Sequence, residues 1–242
     1  MRGYVLWQEG EKPHLERQEI AVVPLFLLRT GRNNRRNLRR LRRLTGELYR
    51  CGVREVALSG DVPREVAQAI PLRRVSPEGL RLGLLDKLVD AFCREQGICL
   101  SEAAVRLVSP GTDSRACQIA RFLCERARYV EVQAGHGGEA LRRMLLREYG
   151  VSSGSLPAME INFGEESGGE VPTLHLGRNC HRQQVCYDWP GGTLPLPVEE
   201  GLLSLLFAAG KLPLEEIEVK SIAPVLDSGT ETHYNATWRT IL

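Results

Sequence analysis

The sequence has no window close to the roughly 18 consecutive apolar residues a membrane-spanning helix needs. No helical membrane span is expected. Residues 1–19 carry charges throughout and lack the apolar stretch and cleavage site of a signal peptide, so the expected compartment is the cytoplasm. Cysteine is present without pattern: seven residues, at 51, 93, 99, 117, 124, 180 and 186, show no repeated spacing that a disulfide framework would need. Most are expected to be reduced and buried. No Walker loop, Gly-x-Ser-x-Gly or His-Glu-x-x-His occurs, so no catalytic residue and no cofactor is assigned.

What is there describes an ordinary globular chain. With 242 residues, 43% of them hydrophobic, it can build one large or two small domains. A charged fraction of 26% with 24 Gly and 13 Pro spread along it excludes collagen-like, coiled-coil and disordered classes. Net charge is only +2, yet residues 1–60 hold 13 basic and 6 acidic side chains, and residues 151–242 hold 5 and 12. Of the 32 basic residues, 28 are arginine.

Residues 20–28 form a continuous apolar run that reads as a buried strand despite Pro24. Leu38, Leu41, Leu44 and Leu48 then recur on one face of a helix that ends near Gly52. A strand at 53–58, a short helix at 62–69 and a short strand at 71–75 follow. A long amphipathic helix is expected from Pro77 to Gly97, linking two halves. The alternation then repeats: strand 104–108, a helix capped by Asp113 or Ser114, strand 129–132, helix 138–149 ending at Gly150, and strand 158–163. Short strands near 171–176 and 183–188 around a Gly-Arg-Asn turn suggest an antiparallel hairpin, before a helix at 198–210 and a strand at 217–222. The residues from Asp227 onward read as an irregular tail, and its Asn235-Ala236-Thr237 as an accidental glycosylation match.

Strands joined through helices cannot be hairpins, so they should lie parallel. The expected fold is a three-layer, Rossmann-like α/β architecture with a mostly parallel sheet, helices on both faces, and a C-terminal β-hairpin and helix. Two lobes are expected, 1–97 with the Arg-rich helix and 98–242 with the βαβαβ unit. Residues 104–163 resemble the Rossmann half of dehydrogenase nucleotide-binding domains, in degenerate form. Of that family's three turn glycines, the segment Ser109-Pro110-Gly111-Thr112-Asp113-Ser114-Arg115 keeps only Gly111. Gln133-Ala134-Gly135-His136 stands where the family has its ribose-binding acid, and Asp113 would repel a phosphate. The resemblance therefore implies the fold without the usual mode of NAD binding. The chain is also similar to bacterial proteins with a degenerate Rossmann-like core, a likeness that brings no activity with it.

Two loops should sit at strand C-terminal ends and could hold a small anionic ligand, a nucleotide or phosphorylated molecule. Their candidate donors are Thr30, Gly31, Arg32 and Arg35 in the first loop, and Ser109, Gly111, Thr112, Ser114 and Arg115 in the second. Simple helix capping by the same residues is the plainer alternative. The helix at 35–43 places Arg35, Arg36, Arg39, Arg40, Arg42 and Arg43 opposite its leucine stripe. That face suits a scaffold role, docking an acidic partner, a second copy of the chain or nucleic acid. Nucleic acid is the less favoured of these, because no recognition motif accompanies the face. A merely solvated face, or a contact with the acidic C-terminal third within the molecule or an oligomer, is the alternative. His175, Cys180, His181 and Cys186 have the residue types of a zinc site but no CxxC or HxxxH pair, so no metal is assigned.

Overall fold

The computed structural model describes residues 2–7, 12–21, 23–30, 34–60, 62–150, 156–164, 171–177, 183–190, 196 and 198–224. The first sheet is built from β1 (Arg2–Trp7), β2 (His14–Ile20), β3 (Val23–Thr30), β4 (Glu55–Leu58) and β5 (Arg73–Arg74). Its order is β2-β3-β1-β4-β5, all parallel except β2, which runs antiparallel along the edge. The second sheet is β6 (Ala104–Gly111), β7 (Tyr129–His136), β8 (Met159–Asn162) and β9 (Thr173–His175), wholly parallel in the order β7-β6-β8-β9. Counting parallel strands as they appear in the chain, both sheets have the order 2-1-3-4. In each, the first strand is central, and the chain passes to one side of it before returning to the other.

Helices α1 (Arg35–Arg50), α2 (Arg64–Gln68), α3 (Glu78–Gly83), α4 (Leu85–Gln96), α5 (Ser114–Arg126), α6 (Gly138–Tyr149) and α7 (Glu200–Ala208) interleave with the strands. Strand alternation sorts the first sheet's side chains. Val5, Leu28 and Val56 bury one face with Leu41, Leu48 and Val66 of α1 and α2. Tyr4, Leu25, Leu27 and Ala57 bury the other in a larger core shared with α3, α4, α7 and the second sheet. On that second sheet Val105, Leu107, Val130, Val132 and Ile161 also point into this core. Arg106, Glu131, Glu160 and Asn162 lie on its opposite face, where Arg106 pairs with Glu131 at 3.0 Å and Asn162 donates to Glu160 at 3.2 Å.

Several expectations need correction. The apolar run at 20–28 becomes a strand at Val23–Thr30, and it is the second parallel strand, because β1 occupies the centre of the sheet. Neither β1 nor β2 was anticipated. The long helix at 77–97 breaks at Leu84, whose φ of −106° and ψ of 23° leave helical geometry. The break lets α3 lie against α7, where added Cβ atoms at Gly79 and Gly83 would meet the Phe207 ring at 3.2 Å, while α4 packs on β11 (Glu218–Pro224).

The C-terminal antiparallel pair is present, but its members are β10 (Gln183–Asp188) and β11, and 171–176 is not its partner. β9 instead joins β8 in parallel. Its far edge meets a side chain in place of a strand: the Gln183 amide donates to Thr173 O at 2.6 Å and accepts from His175 N at 2.8 Å. Most of the glycine-rich 164–170 loop, and the tail with Asn235, lie outside the described residues.

The C-terminal segment ties the sheets together through adjacent carboxylates. Glu199 accepts from the Tyr4 hydroxyl at 3.0 Å and from Gly60 N at 2.8 Å. Glu200 pairs with the fully buried Arg81 of α3, which also donates to the carbonyls of His175 and Gln183. No helix among the described residues is long and apolar enough to cross a membrane.

Candidate binding surface

The second loop lies where β6 runs into α5. Asp113 caps the helix, accepting from Arg115 N at 3.1 Å and Ala116 N at 2.9 Å, so its own carboxylate occupies the amides an anion would use. Ser109 is buried and donates to Gly111 O at 2.7 Å. Ser114 is exposed in the first turn. Arg115 pairs with Glu78 of α3 at 3.0 Å, and its guanidinium stands 5.7 Å from the centre of the Phe163 ring. Thr112 packs against Gly137, the residue that starts α6 with a φ of 76° and no side-chain cap.

At the first loop, Thr30 is buried and donates to Leu6 O at 3.2 Å, tying β3 to β1. Arg35 is exposed at the start of α1, which Asn34 caps by accepting from Asn37 N at 2.8 Å. Gly31 and Arg32 lie outside the described residues. No hydrogen bond or ion pair among the described residues joins 30–35 to 109–115. Of the four residues with zinc-like chemistry, His175 is buried in β9 and Cys186 lies half-buried in β10, while Cys180 and His181 are outside the described residues.

The arginines of α1 stand out in another way. Arg35, Arg36, Arg39, Arg40, Arg42 and Arg43 are all exposed, while Leu41, Thr45 and Leu48 bury the opposite side against the first sheet. Among the described residues only Arg43 has an ion-pair partner, Glu47 at 3.5 Å. The helix is held by its leucine face and its cap, so the cationic face is not needed to fix it in place.

Beside this face runs a groove of about 470 Å³ between α1 and the chain that leaves α2. Thr45, Gly46 and Tyr49 form one wall, and Ala69, Pro71 and Leu72 the other. Arg42 and Gln68 are its polar borders. Tyr49 is 54% exposed, and Arg54 holds it by stacking 3.9 Å from the ring centre and donating to its carbonyl at 2.7 Å. Arg74 donates to the carbonyls of Ala67 and Ile70, which fixes the end of α2. Sequence reasoning missed the groove. Its one local signal is Gly46, a helical glycine four residues after Arg42 and three before Tyr49.

No protein-family model matches the chain, and no curated protein matches it. Among solved structures it is similar to L-tryptophan dehydrogenase from Nostoc punctiforme, with 12% identity and a TM-score of 0.29 over 66% of this chain. The chain spans 55% of that dehydrogenase chain, and the likeness carries no residue role, cofactor or substrate across. Fold and surface define an α/β protein of two mostly parallel sheets with a strongly basic helix on one face.

Proposed function

We propose that the protein is a binding module that docks a polyanionic partner on the arginine face of α1. The observation that carries this reading is the set of six exposed arginines between positions 35 and 43 of one helix, of which only Arg43 is ion-paired among the described residues. Arginine offers a planar, multi-donor fork to carboxylates and phosphates alike. Neighbouring like charges raise the local potential, so association should weaken as salt rises. The test measures binding of poly-glutamate and of duplex DNA across a salt series. Salt-sensitive binding of either, lost when Arg39, Arg40 and Arg43 are replaced together by Glu, supports the reading. Binding that survives the triple replacement, or no binding of either polymer at low salt, removes it.

A second reading places a small nucleotide or phosphorylated ligand at the rim of the second sheet, near Ser109, Gly111, Thr112, Ser114 and Arg115. One feature favours it: α6 starts at Gly137 without a side-chain cap, beside the Thr112 hydroxyl. Thr30, Gly31, Arg32 and Arg35 would serve the equivalent loop of the first sheet. A thermal-shift screen of nucleotides and phosphorylated metabolites tests it, and a screen in which none raises Tm removes it.

A further inference from the structure

We infer that the groove beside α1 takes an apolar side chain from an acidic protein segment; this rests on the polyanion reading and names the partner. Residues three to four apart share a helical face. Arg35, Arg39 and Arg42 therefore form one stripe, and the same stripe continues into Gly46 and Tyr49, the wall of the groove. Carboxylates would meet the arginine end of this line and an apolar side chain the groove end. From Arg35 to Gly46 the helix rises about 16 Å, the reach of roughly five residues of extended chain.

Position 46 faces open space in the groove wall, since a Cβ there would meet no atom within 4 Å, and a longer side chain at this position would extend into the groove. Its walls are already in place. Arg54 pins Tyr49, and Arg74 pins the end of α2, so little ordering is required when a side chain enters. The chemistry favours a peptide over a single-stranded nucleic acid. A single strand would satisfy the arginines, but its bases stack on open aromatic faces. The groove offers one ring, Tyr49, already stacked by Arg54, and otherwise aliphatic walls.

Two acidic peptides of equal length, differing only in one Phe replaced by Ser, are titrated against the native protein, the Gly46→Leu variant, and the Arg35→Glu/Arg39→Glu/Arg42→Glu variant. A single-stranded oligonucleotide serves as the competing class, with circular dichroism as the check on folding. The Phe peptide should bind the native protein roughly tenfold tighter than the Ser peptide, the scale of a buried aromatic anchor. Gly46→Leu should bring Phe-peptide binding down to the level of the Ser peptide, and the triple variant should bind neither. Equal binding of both peptides by the native protein, or a Phe preference that survives Gly46→Leu, overturns the inference and leaves the polyanion reading standing. Failure of both peptides with tight oligonucleotide binding overturns the peptide assignment alone. Failure of every probe, or self-association that excludes both peptides, overturns both.

Discussion

Arg81 and Glu200 meet in a two-point ion pair, with Nε to Oε1 at 2.6 Å and Nη2 to Oε2 at 2.9 Å, and the arginine has no exposure to solvent. Two backbone carbonyls and the Tyr187 hydroxyl complete the arrangement. The contact joins α3 to the start of α7 and to the ends of β9 and β10. Removing one partner of a buried pair strands the other, which costs about 3–5 kcal/mol. Glu200 is 24% exposed, so solvent relieves part of that loss and Arg81→Met should destabilise by about 3 kcal/mol. The urea midpoint measures it. Glu200→Gln, which leaves the fully buried Arg81 charge without its counter-ion and turns an amide N–H toward a guanidinium N–H, should cost at least as much.

Two glycines should respond in opposite directions. Gly46 sits mid-helix in open space, so Gly46→Ala should stabilise by about 1 kcal/mol through helix propensity. At Gly201 an added Cβ would run into the backbone carbonyl of Leu58, where α7 crosses β4. Gly201→Ala should therefore lower Tm, because α7 cannot retreat without opening the core.

Asp113 and the start of α5 give a third test. Asp113→Ala removes the acceptor for two backbone amides and should cost about 1 kcal/mol. Chemical denaturation measures the loss.

The cysteines should differ in reactivity and in their effect on stability at alkaline pH. Cys51 and Cys99 are exposed and should be alkylated first at neutral pH. Burial, with a smaller contribution from the Glu125 charge, pushes the Cys124 thiol up from near 9 to about 11. Burial also raises the Cys93 thiol. Between about pH 9 and 11 the unfolded chain loses the Cys124 proton while the folded chain keeps it, so stability falls as pH rises through that interval. Below it, this group has no effect on the pH dependence. Cys124→Ala should flatten the decline in Tm, and an unchanged slope would show that other groups set it.

From residue 35 onward most elements were legible because each carries its own signal. The leucine spacing marks α1, and glycines 97 and 150, at φ of 65° and 66°, close α4 and α6. Asp113 before an apolar-periodic run marks the start of α5. The first two strands have no such signal. β2 is a charged edge strand, and Ala21, just after it, adopts a φ of 49° that its side chain does not advertise. The arginine face of α1 could be read from the sequence, but the groove could not. Thr45, Gly46 and Tyr49 are separated from Ala69, Pro71 and Leu72 by about twenty residues of chain, and only packing against the first sheet makes them neighbours.

Local periodicity, caps and breakers determined which segments become helix or strand, because those choices depend on residues a few positions apart. Tertiary structure decided which strand lies at the centre of each sheet, and that β9 joins β8 while β10 finds β11. These choices depend on side chains that meet only after the chain has folded, as when the Gln183 amide occupies the edge of β9 and Arg81 reaches across to Glu200.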